Sequence, residues 1–382
     1  MSCWMGGVAE PFSLDRISRF PDVSAENLVA VDATDRLLLA EAANDLAAAG
    51  PRQVVIIQDS YGALTLGAAA LHGATDVRVH QDRLVGERAL AANAQLQGLS
   101  GSYQQYDLGP ELLTGAHVVL LQLPKSLAAL QEIAEAIARF AAPEVVLFAG
   151  GRVKHMTLAM NDVLGAAFGE VQPGLAHQKS RLLRATGPLA AAAAPIFPAR
   201  QFHADLDLWV CAHGGAFGGT KVDIGTRFLL SHLRAISQSA GMAVDLGCGT
   251  GILATALARS HPKLSVLASD QSAAAVASAT ATAAANGVSD RVQVKREDAL
   301  DTVPTASIDV VVCNPPFHIG TAVHTGPASD MFTAAARVLR PGGQLWTVYN
   351  THLAYQTALQ STVGSTRVAG RNAKFTVTVS TR

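Results

Sequence analysis

The segment "AVDLGCGTGILATAL", Ala243–Leu257, gives the clearest indication of how the second half of the chain folds. Apolar residues run up to Asp245 as in a buried strand, and small residues at helical spacing follow the loop. Gly247, Gly249 and Gly251 stand between the two segments. Glycine permits positive φ and lets a ligand approach the backbone, and a helix N-terminus offers unpaired N–H groups. The stretch therefore predicts a strand, a ligand-binding loop and a helix.

Two acidic residues follow this loop at the ends of the next two predicted strands. Asp270 closes "LASD", and Asp298 follows the strand that runs into "KRED". A carboxylate at the first position can accept both hydroxyls of a ribose, and one at the second can meet an adenine amino group. The loop is GxGxG rather than GxGxxG, which makes a pyrophosphate cradle less favoured. The pattern predicts an adenosine-containing ligand.

A second motif, "VVVCNPPF", Val310–Phe317, ends the fourth predicted strand of this half. Two prolines cannot donate to a sheet ladder, so the strand stops there. The Asn314 side chain and the Pro315 carbonyl can accept hydrogens from a planar exocyclic amine, and Phe317 can stack on its ring. These groups can position a planar amine as a nucleophile without a metal.

These motifs resemble those of class I S-adenosylmethionine-dependent methyltransferases. The resemblance implies S-adenosylmethionine as the cofactor, no metal, and catalysis by the NPPF residues Asn314, Pro315, Pro316 and Phe317. It places the methionine part of the cofactor near the glycine loop, the ribose on Asp270 and the adenine near Asp298. The implied cofactor-binding residues are Asp245, Gly247, Cys248, Gly249, Gly251, Asp270, Asp298, Ala299, Thr220 and Gly225.

A wider resemblance covers nearly the whole chain. "GGAFGGTKVDIGTRFLLSHL", Gly214–Leu233, and "RNAKF", Arg371–Phe375, are similar to segments of the ribosomal RNA guanine-N2 methyltransferases, with the large-subunit type ahead of the small-subunit type. The resemblance implies transfer of a methyl group to the N2 amine of a guanine in ribosomal RNA or a ribosomal subunit. The substrate-binding candidates are Phe217, Arg227, Arg367, Arg371 and Lys374.

Strand-like and helix-like runs alternate along both halves, which predicts an α/β protein with parallel sheets. The expected architecture is two tandem Rossmann-like class I methyltransferase domains, mainly parallel, with an antiparallel C-terminal hairpin. The proline-rich segment Gly187–Arg200 is the predicted linker. We therefore divide the chain into a degenerate methyltransferase-like domain, residues 1–195, for RNA recognition or structural support, and a catalytic domain, residues 196–382.

The two halves align with each other, and the alignment explains why the first is degenerate. A shift of 188 positions lays Asp59, Tyr61 and Ala63 on the three loop glycines and lays Asp82 on Asp270. A shift of 192 positions lays Gln122 on Asn314, so that "QLPK" replaces "NPPF". The first domain is thus expected to keep the fold without the cofactor site.

The amino-acid composition indicates which general class of protein this is. Hydrophobic residues make up 49% and the formal net charge is −1, which fits a globular protein without a strongly basic character. The four cysteines form no CxxC pair, and the N-terminus has no signal-peptide pattern. We expect a cytoplasmic protein that is a monomer, has no membrane segment and acts on RNA.

Three alternatives remain from the sequence. One is methylation of a glutamine amide in a release factor, and another is methylation of adenine N6 in a nucleic acid. Both use a similar motif at the end of the fourth strand. The third is a catalytically silent RNA-binding or assembly protein, against which the intact loop, the two acids and the NPPF motif argue together.

Overall fold

The computed structural model describes residues 11–23, 28–190, 194–316, 326–353 and 355–382. The chain divides into two compact units, Met1–Pro195 and Ile196–Arg382, and each is described by itself. Within the described ranges, no helix has the length and apolar character needed to cross a membrane.

The first unit contains seven helices and seven strands in its described residues. The helices are α1 (Ala33–Glu41), α2 (Ala43–Ala48), α3 (Ala63–His72), α4 (Leu84–Leu96), α5 (Pro110–Leu113), α6 (Leu127–Phe140) and α7 (Ala159–Gly165). The strands are β1 (Val54–Ile57), β2 (Val77–His80), β3 (Tyr103–Gln105), β4 (Val118–Gln122), β5 (Val146–Arg152), β6 (Phe168–Pro173) and β7 (Ser180–Pro188).

The described part of the second unit has nine strands and five helices. The strands are β8 (Ala199–His203), β9 (Leu208–Ala212), β10 (Met242–Leu246), β11 (Ser265–Asp270), β12 (Val292–Arg296), β13 (Ile308–Cys313), β14 (Leu339–Asn350), β15 (Ser365–Arg371) and β16 (Phe375–Thr381). The helices are α8 (Ile224–Leu230), α9 (Ile252–Ser260), α10 (Ala273–Ala285), α11 (Gly326–Val338) and α12 (Gln356–Thr362).

The two large sheets have the same strand order, which confirms the predicted fold class. The first runs β3-β2-β1-β4-β5-β7-β6 and the second β12-β11-β10-β13-β14-β16-β15. In each sheet the first five strands are parallel and the last two are antiparallel, including the predicted C-terminal hairpin. The strand order of the second sheet reverses between β10 and β13. Ligands of such sheets bind at the carboxyl ends of the strands at this point.

Hydrophobic cores cover both faces of each sheet. In the second unit, Ala243 belongs to the cluster on one face, whereas its neighbour Val244 belongs to the cluster on the other. Successive side chains of a strand point to opposite faces, so a strand covered on both sides is apolar throughout. This burial explains why "IDVVVC" contains an almost continuous apolar run.

In each unit the segment before the sheet binds the equivalent helix of that unit. In the second unit, Thr282 of α10 and its C-cap residue Asn286 accept hydrogen bonds from the backbone of β9, each at 3.0 Å. In the first, Gln97 and Asn93 accept bonds, each at 3.0 Å, from the backbone N–H groups of Ser13 and Ser18. A shift of 189 positions relates these acceptors.

The structure corrects the predicted linker at both ends. The sequence indicated that Gly187–Arg200 contains no strand, but β7 continues to Pro188 and β8 begins at Ala199. Proline is tolerated at a strand end, where a missing N–H need not interrupt the ladder. The β8–β9 hairpin is a separate two-stranded sheet that the sequence analysis did not predict.

Candidate active site

The glycine loop between β10 and α9 has the backbone that its sequence predicts. Gly247, Gly249 and Gly251 have φ values of 74°, 52° and 74°, a region that side chains disfavour. A Cβ at Gly251 would lie 2.8 Å from the Ala279 Cα, so this glycine also allows the loop to pack on α10. Apart from its two chain neighbours, no described residue has an atom within 4 Å of the Cβ position at Gly249, which leaves the loop open there.

Asp245 lies at the tip of β10 with only 1% of its surface exposed. One carboxylate oxygen accepts the N–H of Ala254 at 2.9 Å, whereas Oδ1 has no hydrogen-bond partner among the described residues. Burial raises the pKa of Asp245 to about 7, with a further contribution from the charge of Asp270. A cationic ligand group beside Oδ1 would satisfy this oxygen and restore the carboxylate.

Asp270 connects the loop to the tip of β11. Its Oδ2 accepts the N–H of Gly249 at 3.0 Å, and its Oδ1 accepts the N–H of Ser272 at 2.9 Å. Each carboxylate oxygen has a second lone pair, so the side chain keeps the capacity to accept hydroxyl groups. Cys248 lies in the same loop, where its buried thiol has a raised pKa because of burial and the nearby acids.

Asp298 and Ala299 lie beyond the end of β12. They border a depression of about 560 Å³ that Asp301, Asp330 and Arg337 also line. Ala299 has a φ of 48°, which is strained for a residue with a side chain.

These groups fit the cofactor that the sequence indicated. Asp245 provides a buried carboxylate whose Oδ1 has no partner among the described residues, the loop provides open backbone, and Asp270 provides a second carboxylate on the next strand. Such a set suits an amino acid joined to a nucleoside. No group of three or more His, Cys, Asp or Glu side chains able to hold a metal occurs in the part of the chain that the structure describes.

Asn314 follows β13, where its side-chain amide is held from one side. Its Nδ2 donates to Asp223 Oδ2 at 2.9 Å and to Thr226 Oγ1 at 3.0 Å. Its Oδ1 is shielded from solvent and has no partner among the described residues. Pro315 is buried and Pro316 is exposed, whereas Phe317 lies outside the described residues.

Asp223 is the N-cap of α8 and accepts several hydrogen bonds. Burial acts to raise its pKa, but bonds from the Thr226 and Gly225 N–H groups and from the Thr226 and Asn314 side chains bring the pKa below its usual value. It is therefore a carboxylate at neutral pH. The sequence analysis assigned Asp223 no role, because its contact with Asn314 spans 91 positions.

The other candidates in the lead-in segment have different surroundings. Phe217 is 91% exposed, and Gly225 packs closely on the Phe375 ring. Thr220 donates to Gln201 at 2.9 Å, and Arg227 forms an ion pair with Asp205. The structure thus directs the Thr220 and Arg227 side chains to the β8–β9 hairpin rather than to the loop or to Asn314.

The C-terminal hairpin separates the three basic candidates. Arg371 is paired with Thr376, and Lys374 lies in the β15–β16 turn, at the same end of the sheet as Asn350. Arg367 pairs with Val379 on the edge strand β15, further from the β15–β16 turn than Arg371, so it does not lie at the strand tips. A depression of about 590 Å³ lies between the turn and Asp223, lined by Ile224, Asn350, Thr351, His352, Ala373, Lys374 and Phe375.

The first unit lacks the side chains that form this site, although the predicted alignment of its loop was off by one residue. Strand pairing and the start of α3 place Gln58, Ser60 and Gly62, not Asp59, Tyr61 and Ala63, at the three glycine positions. The same register places Ile56 at Asp245 and Gln81, not Asp82, at Asp270. Both carboxylates of the second unit are therefore absent here.

Two family models match the chain. "RLMG N-terminal domain" matches residues 8–188, and "Methyltransferase small domain" matches residues 207–379. Among curated proteins, the chain is 36% identical to ribosomal RNA large subunit methyltransferase G of Streptomyces avermitilis, over 96% of this chain and 97% of that protein. It is 35% identical to the Pseudomonas syringae protein of the same name, with the same coverage.

One solved structure has a similar fold over most of the chain. It is a 16S rRNA N2 methyltransferase of T. thermophilus in complex with AdoMet and guanosine. The TM-score is 0.73 at 23% sequence identity, and the match covers 92% of each chain. At this identity the likeness shows the fold.

Proposed function

Because the chain belongs to the ribosomal RNA large subunit methyltransferase G family, we propose that it transfers a methyl group from S-adenosylmethionine to the N2 amine of a guanine in ribosomal RNA. The observation that carries this proposal is the Oδ1 of Asn314 at the tip of β13, which has no hydrogen-bond partner among the described residues. It lies in the unit that also contains the open glycine loop and the Oδ1 of Asp245, for which the described residues likewise offer no partner.

The residues of this chain would hold both reactants. Asp245 and the glycine loop would bind the methionine part of the cofactor, Asp270 the ribose, and Asp298 with Ala299 the adenine. When bound, S-adenosylmethionine supplies a methyl group on a positively charged sulfur. Asn314 Oδ1 and the Pro315 carbonyl would accept the two amine hydrogens of the guanine and direct the nitrogen lone pair at that methyl group.

Positioning is the main contribution that such a site can make. The guanine nitrogen forms a bond to the methyl carbon, the electrons of the broken carbon–sulfur bond stay on sulfur, and the nitrogen then loses one proton to water. An amine conjugated with its ring is a weak nucleophile, so alignment matters. Fixing two reactants in a productive geometry can lower a barrier by roughly 7–11 kcal/mol at best.

The target base has to leave its stack to reach Asn314. Enzymes that modify bases commonly extrude the target nucleotide at a cost of a few kcal/mol. Single-stranded or looped RNA makes this extrusion easier. The 91% exposed ring of Phe217 would contact the extruded base or its neighbour, and Arg371 and Lys374 would bind the RNA backbone at the sheet end.

We propose that the first unit, residues 1–195, recognises RNA or supports the catalytic unit, residues 196–382. Burial lowers the pKa of His155, and the nearby positive charges of Lys125, Lys154 and Arg152 lower it further. Arg152 ends β5, so this positive group lies at the carboxyl end of the first sheet. Such a group would contact phosphates, which fix the orientation of a nucleic acid without reading its sequence.

We further propose that the protein works in the cytoplasm as a monomer, since one chain carries both the catalytic unit and its companion. Ribosomal RNA or an assembling ribosomal subunit would be the partner. Light scattering of the purified chain, alone and with RNA, measures its mass directly. A mass of two chains would contradict the monomer.

The proposed activity is tested with a labelled methyl donor. Purified ribosomal RNA, ribosomal subunits and a release factor are offered side by side, and the modified residue is identified after digestion. We expect label on guanine N2. Label on a glutamine amide or on adenine N6, with none on guanine, would overturn the proposal in favour of the corresponding alternative.

A further inference from the structure

We infer that Asp223 and Thr226 are positioning residues that turn the side-chain oxygen of Asn314 toward the target amine. This inference rests on the proposed methylation of an exocyclic amine. Neither residue is required to touch the substrate, because both act through the Asn314 amide. The inference stands on the hydrogen bonds around that amide.

The chemistry of Asp223 decides which way the amide faces. A carboxylate only accepts hydrogen bonds, so the atom of Asn314 beside it has to be the nitrogen. Asp223 Oδ2 and Thr226 Oγ1 take the Nδ2 hydrogens at 2.9 Å and 3.0 Å. The opposite orientation would bring two oxygens together, which is repulsive. The amide oxygen is thereby fixed on the other side.

The outcome is an acceptor without a donor. Asn314 Oδ1 is shielded from solvent and has no partner among the described residues. Buried acceptors normally have a partner, and leaving one unsatisfied is unfavourable. A substrate N–H would supply the missing donor. Asp223 and Thr226 hold the Asn314 amide, so it does not rotate toward another donor.

The charge of Asp223 adds a second effect. Its pKa lies below the usual value because N–H groups and side chains donate to it, so it is ionised at neutral pH. Hydrogen bonds in a chain polarise one another. An amide that donates to a carboxylate carries more negative charge on its oxygen, which makes that oxygen a better acceptor for the amine.

The first unit contains a related contact. Gln122 ends β4, at the position equivalent to Asn314, and its Nε2 donates to Asp35 in the first turn of α1. Asp35 differs from Asp223 in that burial raises its pKa to about 8. In each unit, an acid at the start of the helix before the sheet thus binds an amide at the fourth-strand tip. We read the Asn314 contact as an inherited feature of the fold that the catalytic unit uses.

Two variants of the full chain test the inference. Asp223→Asn retains a side chain that caps helices well but replaces one acceptor oxygen with a donor. Thr226→Val removes the hydroxyl, and Thr226→Ser restores it. We expect Asp223→Asn to lower kcat by about 10- to 100-fold, as for the loss of a hydrogen bond to a charged group. We expect Thr226→Val to lower it less and Thr226→Ser to recover it.

Controls separate positioning from a general structural effect. Asp207→Asn makes the same charge change at an exposed ion pair with Arg259 and should leave kcat unchanged. Cofactor affinity and melting temperature should stay near wild type in Asp223→Asn. In an Asn314→Ala background, Asp223→Asn should cause no further loss of kcat, because the positioned group is already gone.

A measurement without turnover completes the test. In the 15N spectrum of the full-length protein, the Asn314 NH2 signals should shift and exchange faster with water in Asp223→Asn. Wild-type kcat in Asp223→Asn, or an additive loss in the double variant, would overturn the inference while leaving the proposed function intact. An inactive wild-type enzyme on guanine would instead contradict the proposed function, and unchanged NH2 signals would overturn the inference by themselves.

Discussion

Gln58 takes the place in the first unit that Gly247 takes in the second. Each donates its backbone N–H to the carbonyl at the same point of the neighbouring strand, His80 at 2.9 Å and Ser269 at 2.8 Å. Each has positive φ, 66° for Gln58 and 74° for Gly247. The first unit thus keeps the shape of the loop while side chains occupy positions that the second unit leaves bare.

This relationship predicts one cofactor site in the whole chain. Gly249→Ala should weaken S-adenosylmethionine binding by at least about tenfold, because alanine strains the left-handed backbone and adds a methyl group to the open side of the loop. Ser60→Ala changes the equivalent position of the first unit and should have no effect. Calorimetry measures both affinities and the stoichiometry. Two bound cofactors per chain would contradict this prediction.

The roles of Asn314 and Asp270 should separate kinetically. Asn314→Ala removes the amine acceptor, so we expect kcat to fall by about 100-fold or more, as for loss of one preorganised group, with cofactor affinity within a few-fold of wild type. Asp270→Ala removes a loop contact and the proposed ribose ligand, so it should weaken cofactor binding first. Steady-state kinetics with binding assays on both variants distinguish them. The reverse pattern would show that the two roles are wrongly assigned.

Cofactor binding should depend on pH through Asp245. Burial raises its pKa from 3.8 to about 7, so the folded chain without ligand favours the protonated form. Because the folded chain binds this proton more tightly than the unfolded chain does, protonation of Asp245 favours folding. This contribution to stability is full below pH 3.8 and is lost as the pH rises through about 7. A cationic ligand requires the carboxylate, so affinity should increase about tenfold from pH 6 to pH 8. Titration calorimetry at both pH values measures this change.

The control for this pH effect is Asp245→Asn, which keeps an oxygen for the Ala254 N–H but cannot ionise. The affinity of this variant for S-adenosylmethionine should be lower than that of the wild type and should change little between pH 6 and pH 8. An equally steep increase from pH 6 to pH 8 in this variant would assign the pH dependence to another group.

The basic residues of the C-terminal hairpin should differ in RNA binding. Arg371 and Lys374 lie at the carboxyl end of the sheet, so replacing either with alanine should weaken binding and reduce the salt slope by roughly one. Arg367→Ala provides a matched control, since this exposed arginine lies on the same edge strand but further from the turn. Filter binding across a salt series measures all three. Equal losses for the three variants would show that position in the sheet does not matter.

The sequence was sufficient for the fold because its strongest signals are local. The buried run into Asp245, the three glycines and the strand that stops at Asn314 all follow from neighbouring residues, and "IDVVVC" coincides with β13. The loop of the first unit was misaligned by one residue because Asp59 was aligned with Gly247, a position that strand pairing gives to Gln58. Asp59 instead caps α3 by accepting the N–H groups of Leu64 and Thr65, each at 2.8 Å.

Long-range pairings were beyond what the sequence could indicate. The sequence indicated that Arg227 binds the substrate. In the structure Arg227 instead forms an ion pair with Asp205, which lies in the turn of the β8–β9 hairpin that was not predicted. The contact between Asp223 and Asn314 likewise depends on how α8 meets the tip of β13. Such contacts are set by tertiary packing, which residue spacing does not encode.

Methylation of guanine N2 is tested most directly by nucleoside analysis of ribosomal RNA from a strain that lacks this gene. The strain is complemented with the wild-type gene or with Asn314→Ala. We predict that N2-methylguanosine in large-subunit RNA decreases by one residue on deletion, returns with the wild type and does not return with Asn314→Ala. An unchanged N2-methylguanosine content, or loss of a methylated adenine instead, would contradict the account.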